Sequence, residues 1–365
     1  MNFLKFHKVL LSAILLSLLA FPILPQASAS FSSMYVFGDG VSATNDPTTP
    51  VSDPLLYGRR NCNGRVWVEV LWQWQGHAFD DAKNRSSFGN ISEDVVADTV
   101  SFTPPGDVGT AMFVIWCANA DFVEFFYTGS TAWTSFINDS ISRHVQAVTN
   151  LYNKGARTFV MPNAVDIMAT PNYNDFDPSE KAFVRQKVIE FNTAFKTAME
   201  ELSSSPSKPG LKIHLPDTFT FFEQVRANPV AYGLIDPIPW NAGSFDAPSP
   251  SLNGNGSNYI FWDDYHPTAK FQMHLAAFFQ ELVFPPKVRS VSVSGGNAQL
   301  QVADIPLGRA GIVQGSSNLQ PPWTQDTTFT VPFVIGGSTT STVSVPISGP
   351  QRFYRVGFPV VWTWP

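Results

Sequence analysis

Two short stretches of this chain carry residue types that can move protons at close range. Asp263 and His266 stand three residues apart in FWDDYHPT, Phe261 to Thr268. That spacing puts a carboxylate and an imidazole on one local turn, where the carboxylate can hold the imidazole tautomer. Far upstream, the apolar run Met34 to Phe37 stops at Gly38-Asp39-Gly40, the pattern of a buried strand meeting a turn. Asn63-Gly64 marks a second turn, and the apolar run Ala111 to Cys117 leads into Ala118-Asn119-Ala120. The two cysteines, Cys62 and Cys117, adjoin these last two segments, and neither has a histidine near it in sequence, which argues against a thiol nucleophile. The acid pairs Asp80-Asp81 and Glu93-Asp94 lack ligand spacing, so no metal site is expected.

The elements that must position these groups are legible as periodic patterns. Strands are expected at the apolar runs Met34–Phe37 and Ala111–Cys117 and at Arg157–Pro162 and Leu211–Leu215. Helices are expected over 66–74, 135–154, 178–202 and 268–284, with Ser179-Glu180 as start signals and Gly155 as a C-cap. Trp67, Trp72 and Trp74 read as core or helix-face residues. Strands alternating with helices imply a doubly wound parallel sheet of α/β class. After Pro285-Pro286 the composition turns to Ser, Thr, Val and Gly in short alternating runs, which predicts a small all-β sandwich module over residues 286–365.

The first thirty residues predict export. Lys5 and Lys8 precede the apolar stretch Val9 to Leu24, and Ala27-Ser28-Ala29 is a small-x-small cleavage signature, so residues 1–29 read as a secretory signal peptide. The net charge of −6 becomes −8 without them, and no Lys/Arg run occurs, which excludes a nucleic-acid binder relying on phosphate neutralisation. No later stretch is apolar enough to span a membrane, so the expected location is secreted, periplasmic or cell-envelope. In that compartment an even, sparse cysteine count favours a disulfide, worth about 4 kcal/mol in the loop-entropy model. Nothing in the sequence indicates a cofactor.

VFGDGVS (Val36 to Ser42), GRRNCNGRVWVEVL (Gly58 to Leu71), FVIWCANADF (Phe113 to Phe122), LYNKGARTFVMPNAVDI (Leu151 to Ile167) and FWDDYHPT resemble, in order, the conserved blocks of the GDSL, or SGNH, esterase/lipase family. FNTAF (Phe191 to Phe195) and NPVAYGL (Asn228 to Leu234) are similar to it as well. The resemblance implies a three-layer α/β/α sandwich over residues 30–285 and hydrolysis of a carboxylic ester or removal of an acyl group, without metal or cofactor. It implies His266 as general base, Asp263 as its orienting acid and Gly64 as an oxyanion donor. The nucleophile serine of the family falls on Gly40, which has no side chain to acylate, and Ser42 occupies a position the family also fills with serine. In the third block the family asparagine falls on Ala120 without a gap, or on Asn119 with one inserted residue; both alignments stand. The blocks also place Cys62 and Cys117 at the same sheet edge, where a bridge would pin two oxyanion loops together. Two functions follow: an esterase- or lipase-like hydrolase in which Asp263 and His266 activate water facing Gly40, or a pseudo-hydrolase that binds an acyl or glycan ligand without turnover. The β module could add a cell-surface or carbohydrate contact.

Overall fold

The computed structural model describes residues 31–235, 243–349 and 351–363. The expected signal peptide lies outside them. Four strands form the main sheet: β1 (Met34–Gly38), β2 (Met112–Trp116), β3 (Thr158–Val160) and β4 (Lys212–His214). They run parallel, in sequence order. The segment 84–87 lies along the outer edge of β1, where Arg85 N–H donates to the Val36 carbonyl at 2.8 Å and Ser87 N–H to the Gly38 carbonyl at 3.1 Å. That segment falls between β1 and β2 in sequence, so the chain leaves β1 first to one side and then to the other. The sheet is doubly wound, and the crevice beyond the carboxyl ends of β1 and β2 is its switch point.

Alternation along β1 sends Met34 and Val36 to one face and Tyr35 and Phe37 to the other. The first face is covered by α1 (Trp67–Trp74), α6 (Thr218–Ala227) and α7 (Ala269–Val283). The second is covered by α2 (Ser92–Ser101), α3 (Ala118–Tyr127), α4 (Trp133–Asn153) and α5 (Pro178–Ser204). The result is an α/β/α sandwich. Trp67, Trp72 and Trp74 are all buried in the first layer, with Trp67 stacked on Phe279 at 4.1 Å between ring centroids. Phe residues dominate the second layer, as in the stacked pair Phe191 and Phe195.

Helix starts follow local chemistry. Asp177 accepts from Ser179 N–H ahead of Pro178, and Thr268 accepts from Phe271 N–H to open α7. Glu69 accepts the Val66 N–H at 2.9 Å and pairs with Arg60 through two short hydrogen bonds, which ties the loop before α1 to its first turn. The helices α2, α3 and α6 are absent from the periodicity reading. Their apolar faces are short, and α3 is interrupted by Asn119, Asp121 and Glu124.

From Lys287 the chain is all β. β5 (Lys287–Ser294), β6 (Asn297–Ala303) and β9 (Ser341–Pro346) form one antiparallel sheet. β7 (Ala310–Ser316), β8 (Thr324–Thr330) and β10 (Phe353–Gly357) form another. They enclose a small core of Leu300, Val302, Ile305, Val313, Val345 and Phe358. Gly295 and Gly296, with φ of 57° and 79°, make the two-residue turn between β5 and β6 that other residues would strain. Leu307 N–H donates to the Trp74 carbonyl at 2.9 Å and Gly336 N–H to the Gly76 carbonyl at 2.7 Å, joining these strands to the end of α1.

Cys62 and Cys117 are both free thiols, which corrects the expected disulfide. The physical reason is the sheet itself: Cys62 packs in the first apolar layer and Cys117 in the second. Cys62 Sγ lies 3.4 Å from the Pro267 carbonyl oxygen, and Cys117 Sγ lies 3.4 Å from His144 Nε2. Adjacent sequence blocks reach the same edge of the sheet but deliver their side chains to opposite faces.

Candidate active site

The turn that carries Asp263 and His266 is built by Asp263 itself. Its Oδ1 accepts the Tyr265 N–H at 2.8 Å and the His266 N–H at 2.6 Å, closing the turn around the carboxylate. Its Oδ2 is left for His266 Nδ1, 2.7 Å away. A carboxylate only accepts, so Nδ1 carries the proton and Nε2 is the free basic nitrogen. Trp262 N–H bonds to the His266 carbonyl at 2.7 Å and Trp262 Nε1 to the Leu55 carbonyl at 2.8 Å, anchoring the turn from both sides.

Nε2 is directed at Gly40. A Cβ placed on Gly40 would stand 2.4 Å from His266 Nε2, 3.2 Å from its Cδ2 and 3.2 Å from Asn61 Nδ2. The imidazole thus occupies space that any side chain at position 40 would claim. Gly40 has no left-handed φ, so its backbone does not require glycine. The glycine is there for room.

Asp39, Gly40 and His266 open onto a cavity of about 280 Å³. Its walls include Val123, Val165, Ile167, Phe222, Phe271 and Leu275, so it is largely apolar. Asn119 and Ala120, at the start of α3, line it too. Asn119 Oδ1 accepts the Val165 N–H at 3.0 Å, which leaves its amide nitrogen as a donor. Gly64 is buried but is not among the lining residues; its N–H faces the Cys62 sulfur.

The electrostatics favour a charged imidazole. Burial by itself would lower the His266 pKa, but Asp263, and beyond it Asp39 and Asp46, outweigh burial and raise it. For Asp263 burial opposes ionisation, but the His266 charge and three hydrogen bonds win and hold its pKa below the ordinary value. Asp39 differs. Its Oδ1 accepts the Val41 N–H at 3.1 Å, and burial pushes its pKa up to about 6 against the pull of that bond, the His266 charge and the Ala120 N–H. An acid raised in the folded state holds its proton where the unfolded chain has lost it. Its contribution to stability therefore falls as pH rises from the ordinary 3.8 to about 6, then stays level. Asp39→Asn is accordingly expected to gain melting temperature relative to the parent at pH 7.5 compared with pH 4.5; an equal difference at both values excludes a buried charge at Asp39.

The GDSL-like Lipase/Acylhydrolase family profile matches residues 34–279, from β1 into α7 and short of the C-terminal strands. The chain belongs to this family. An Arabidopsis thaliana GDSL esterase/lipase is 32% identical over 151 residues, 37% of this chain and 37% of the relative. A second from the same plant is 26% identical over 162 residues, 41% of this chain and 44% of the relative. The chain thus spans about two fifths of the length of these curated relatives. A further Arabidopsis relative aligns at 23% identity over 74% of this chain and 95% of its own length. Among solved structures, an acetylxylan esterase from Geobacillus stearothermophilus is 15% identical with a TM-score of 0.41, covering 69% of this chain and 94% of that one.

Within the GDSL frame, Ser42 is fully buried and its Oγ accepts the Trp67 Nε1–H at 3.0 Å, so it is a structural hydroxyl. Two residues of the site escaped the sequence reading. Asn61 is the amide closest to Gly40, held by Thr49 Oγ1 at 2.9 Å and Asp46 Oδ2 at 3.2 Å. Asp46 also accepts from Thr48 N–H, Ser87 Oγ and Phe88 N–H, so one carboxylate pins three loops around His266. Burial opposes its charge, yet these bonds prevail and lower its pKa. Asp46-Pro47-Thr48 is a turn signature in the sequence, but nothing local shows that the turn reaches Asn61 and Phe88.

Proposed function

We propose that this GDSL-family chain hydrolyses an ester through water activated directly by His266, without an acyl-enzyme. The observation that carries this reading is the bonded Asp263–His266 pair, at 2.7 Å, with its basic nitrogen aimed at an empty position 40 beside an apolar cavity. The acyl part of the substrate would occupy that cavity. His266 Nε2 takes a proton from water, and the hydroxide oxygen bonds to the carbonyl carbon as the π pair moves to oxygen. The Gly40 N–H and the Asn119 amide are the donors available to that oxyanion. Collapse breaks the bond to the alkoxy oxygen, which takes the proton back from His266 and leaves as alcohol. Asn61 is positioned to hold the attacking water.

The test is hydrolysis of p-nitrophenyl butyrate in ¹⁸O-water. One labelled oxygen in the released acid places cleavage at the acyl carbon, while no butyryl adduct on the protein and no burst of nitrophenol support direct attack. A butyryl adduct overturns it. A rate no faster than buffer favours the second reading, an acyl-binding pseudo-hydrolase, which the lack of any side chain at Gly40 also supports. Neutral His266 is the active form, so kcat/KM should fall as pH drops through a pKa above the ordinary 6.5. Asp39→Asn removes one of the three neighbouring carboxylates and should move that limb to lower pH; an unmoved limb assigns it to another group.

We further read residues 1–29 as a cleaved export signal and the mature protein as secreted, periplasmic or envelope-located. Lys5 and Lys8, the apolar stretch Val9 to Leu24 and Ala27-Ser28-Ala29 support this reading; among the described residues no helix is long and apolar enough to cross a membrane. Residues 286–365 are then an appended β module.

A further inference from the structure

A second cavity, of about 440 Å³, lies between α1, α7 and the β-strands. It shares no lining residue with the cavity at His266. α7 separates the two: Phe271 and Leu275 face the first, Ala269 and Met273 the second. Its walls are mainly apolar, with Met273, Leu307, Phe333 and Trp362 among them.

Among the described residues two guanidinium groups line this cavity and no acid does. Arg309 is only 6% exposed. Its Nη2 donates to the Phe358 carbonyl, and its plane lies over Trp74 at 4.4 Å from the ring centroid. Its Nε and Nη1 have no hydrogen-bond partner, and it makes no ion pair within 4.0 Å among the described residues. Burial pulls its pKa down to about 10, offset only in part by the more distant charge of exposed Glu281, so it stays cationic at neutral pH. Arg65 donates from Nη1 to Gln73 Oε1 and has a buried, unpartnered Nε. Buried guanidinium nitrogens are ordinarily satisfied, and a burial this complete is costly without an anion.

We propose that this cavity binds an organic carboxylate with an apolar body. The carboxylate sits on Arg309 and Arg65, and the body lies against Met273, Leu307, Phe333 and Trp362. The planar forks suit a carboxylate, and the apolar walls favour a fatty or aromatic acid over an acidic sugar or an inorganic anion.

The experiment is titration calorimetry of the purified protein with octanoate, octanamide, glucuronate and sulfate. Octanoate is expected to bind saturably, at least tenfold more tightly than each of the others. Arg309→Gln, with an unchanged circular dichroism spectrum, should weaken octanoate at least tenfold, and Trp362→Ala at least threefold. Neither residue touches the His266 cavity, so such losses place the acid in the second one. Equal binding of octanamide overturns the charge assignment, and tighter glucuronate or sulfate overturns the apolar body. Octanoate affinity unchanged in both variants overturns the site. If Arg309→Gln does not fold, Arg65→Gln and Trp362→Ala carry the same readout.

Discussion

His266→Ala is expected to lower kcat/KM for p-nitrophenyl butyrate on the order of 10³-fold, to the buffer rate, while the chain stays folded. The size of the effect follows from Nε2 being the basic atom that faces position 40; the other carboxylates lining the cavity are Asp39 and the exposed Glu124 on α3. Asp263 spends one oxygen on two backbone N–H groups and the other on His266, so it cannot replace the imidazole. Asp39 lines the cavity but is buried, and a carboxyl with a pKa of about 6 is a weaker base than His266. Removing the ring leaves a hole beside Gly40, which free imidazole in solution should fill with partial recovery of rate. Assays with and without imidazole check this. Activity that survives in His266→Ala would assign the chemistry to another part of the chain, and no saturable activity in the parent would leave the binding reading.

Gly40→Ala is expected to cost at least about 10²-fold in kcat and to lower the melting temperature. The cause is steric. The new methyl would stand 2.4 Å from Nε2, well inside contact distance, and Asn61 at 3.2 Å closes the opposite side. The ring could yield only by leaving Asp263, which holds it at 2.7 Å. Overpacking of this kind costs about 1–3 kcal/mol, and a general base displaced from its acid loses its orientation. A parent-like rate in Gly40→Ala would mean that the ring retreats freely and that space at position 40 is incidental. Gly40→Ser brings the same Cβ and is expected to lose the water route too. Activity in that variant would require attack by the new hydroxyl and would leave an acyl adduct visible by mass spectrometry.

Much of the fold was open to sequence reasoning because its signals are local. The runs that became β1 to β4 are short and bounded by turns, and the four expected helices match α1, α4, α5 and α7 to within two residues at either end. Asp263 and His266 are three residues apart, so a single turn suffices to bring them together. The helices α2, α3 and α6 were not legible, since each buries only a few side chains and takes its stability from the layer it joins.

The sequence by itself determined the order of elements, the Asp263–His266 pair and the want of a side chain at Gly40. Each is a property of residue type or of neighbours along the chain. Only the tertiary structure decided which long-range partners those groups meet. It put Cys62 and Cys117 on opposite faces of the sheet, turned Gly64 toward a sulfur, and brought Asn61 and Asp46 to the ring. It also buried Arg309 against Trp74, 235 positions away in the chain. The physical reason is that strand pleat and layer packing determine which way a side chain points, and a one-residue step along a strand reverses it.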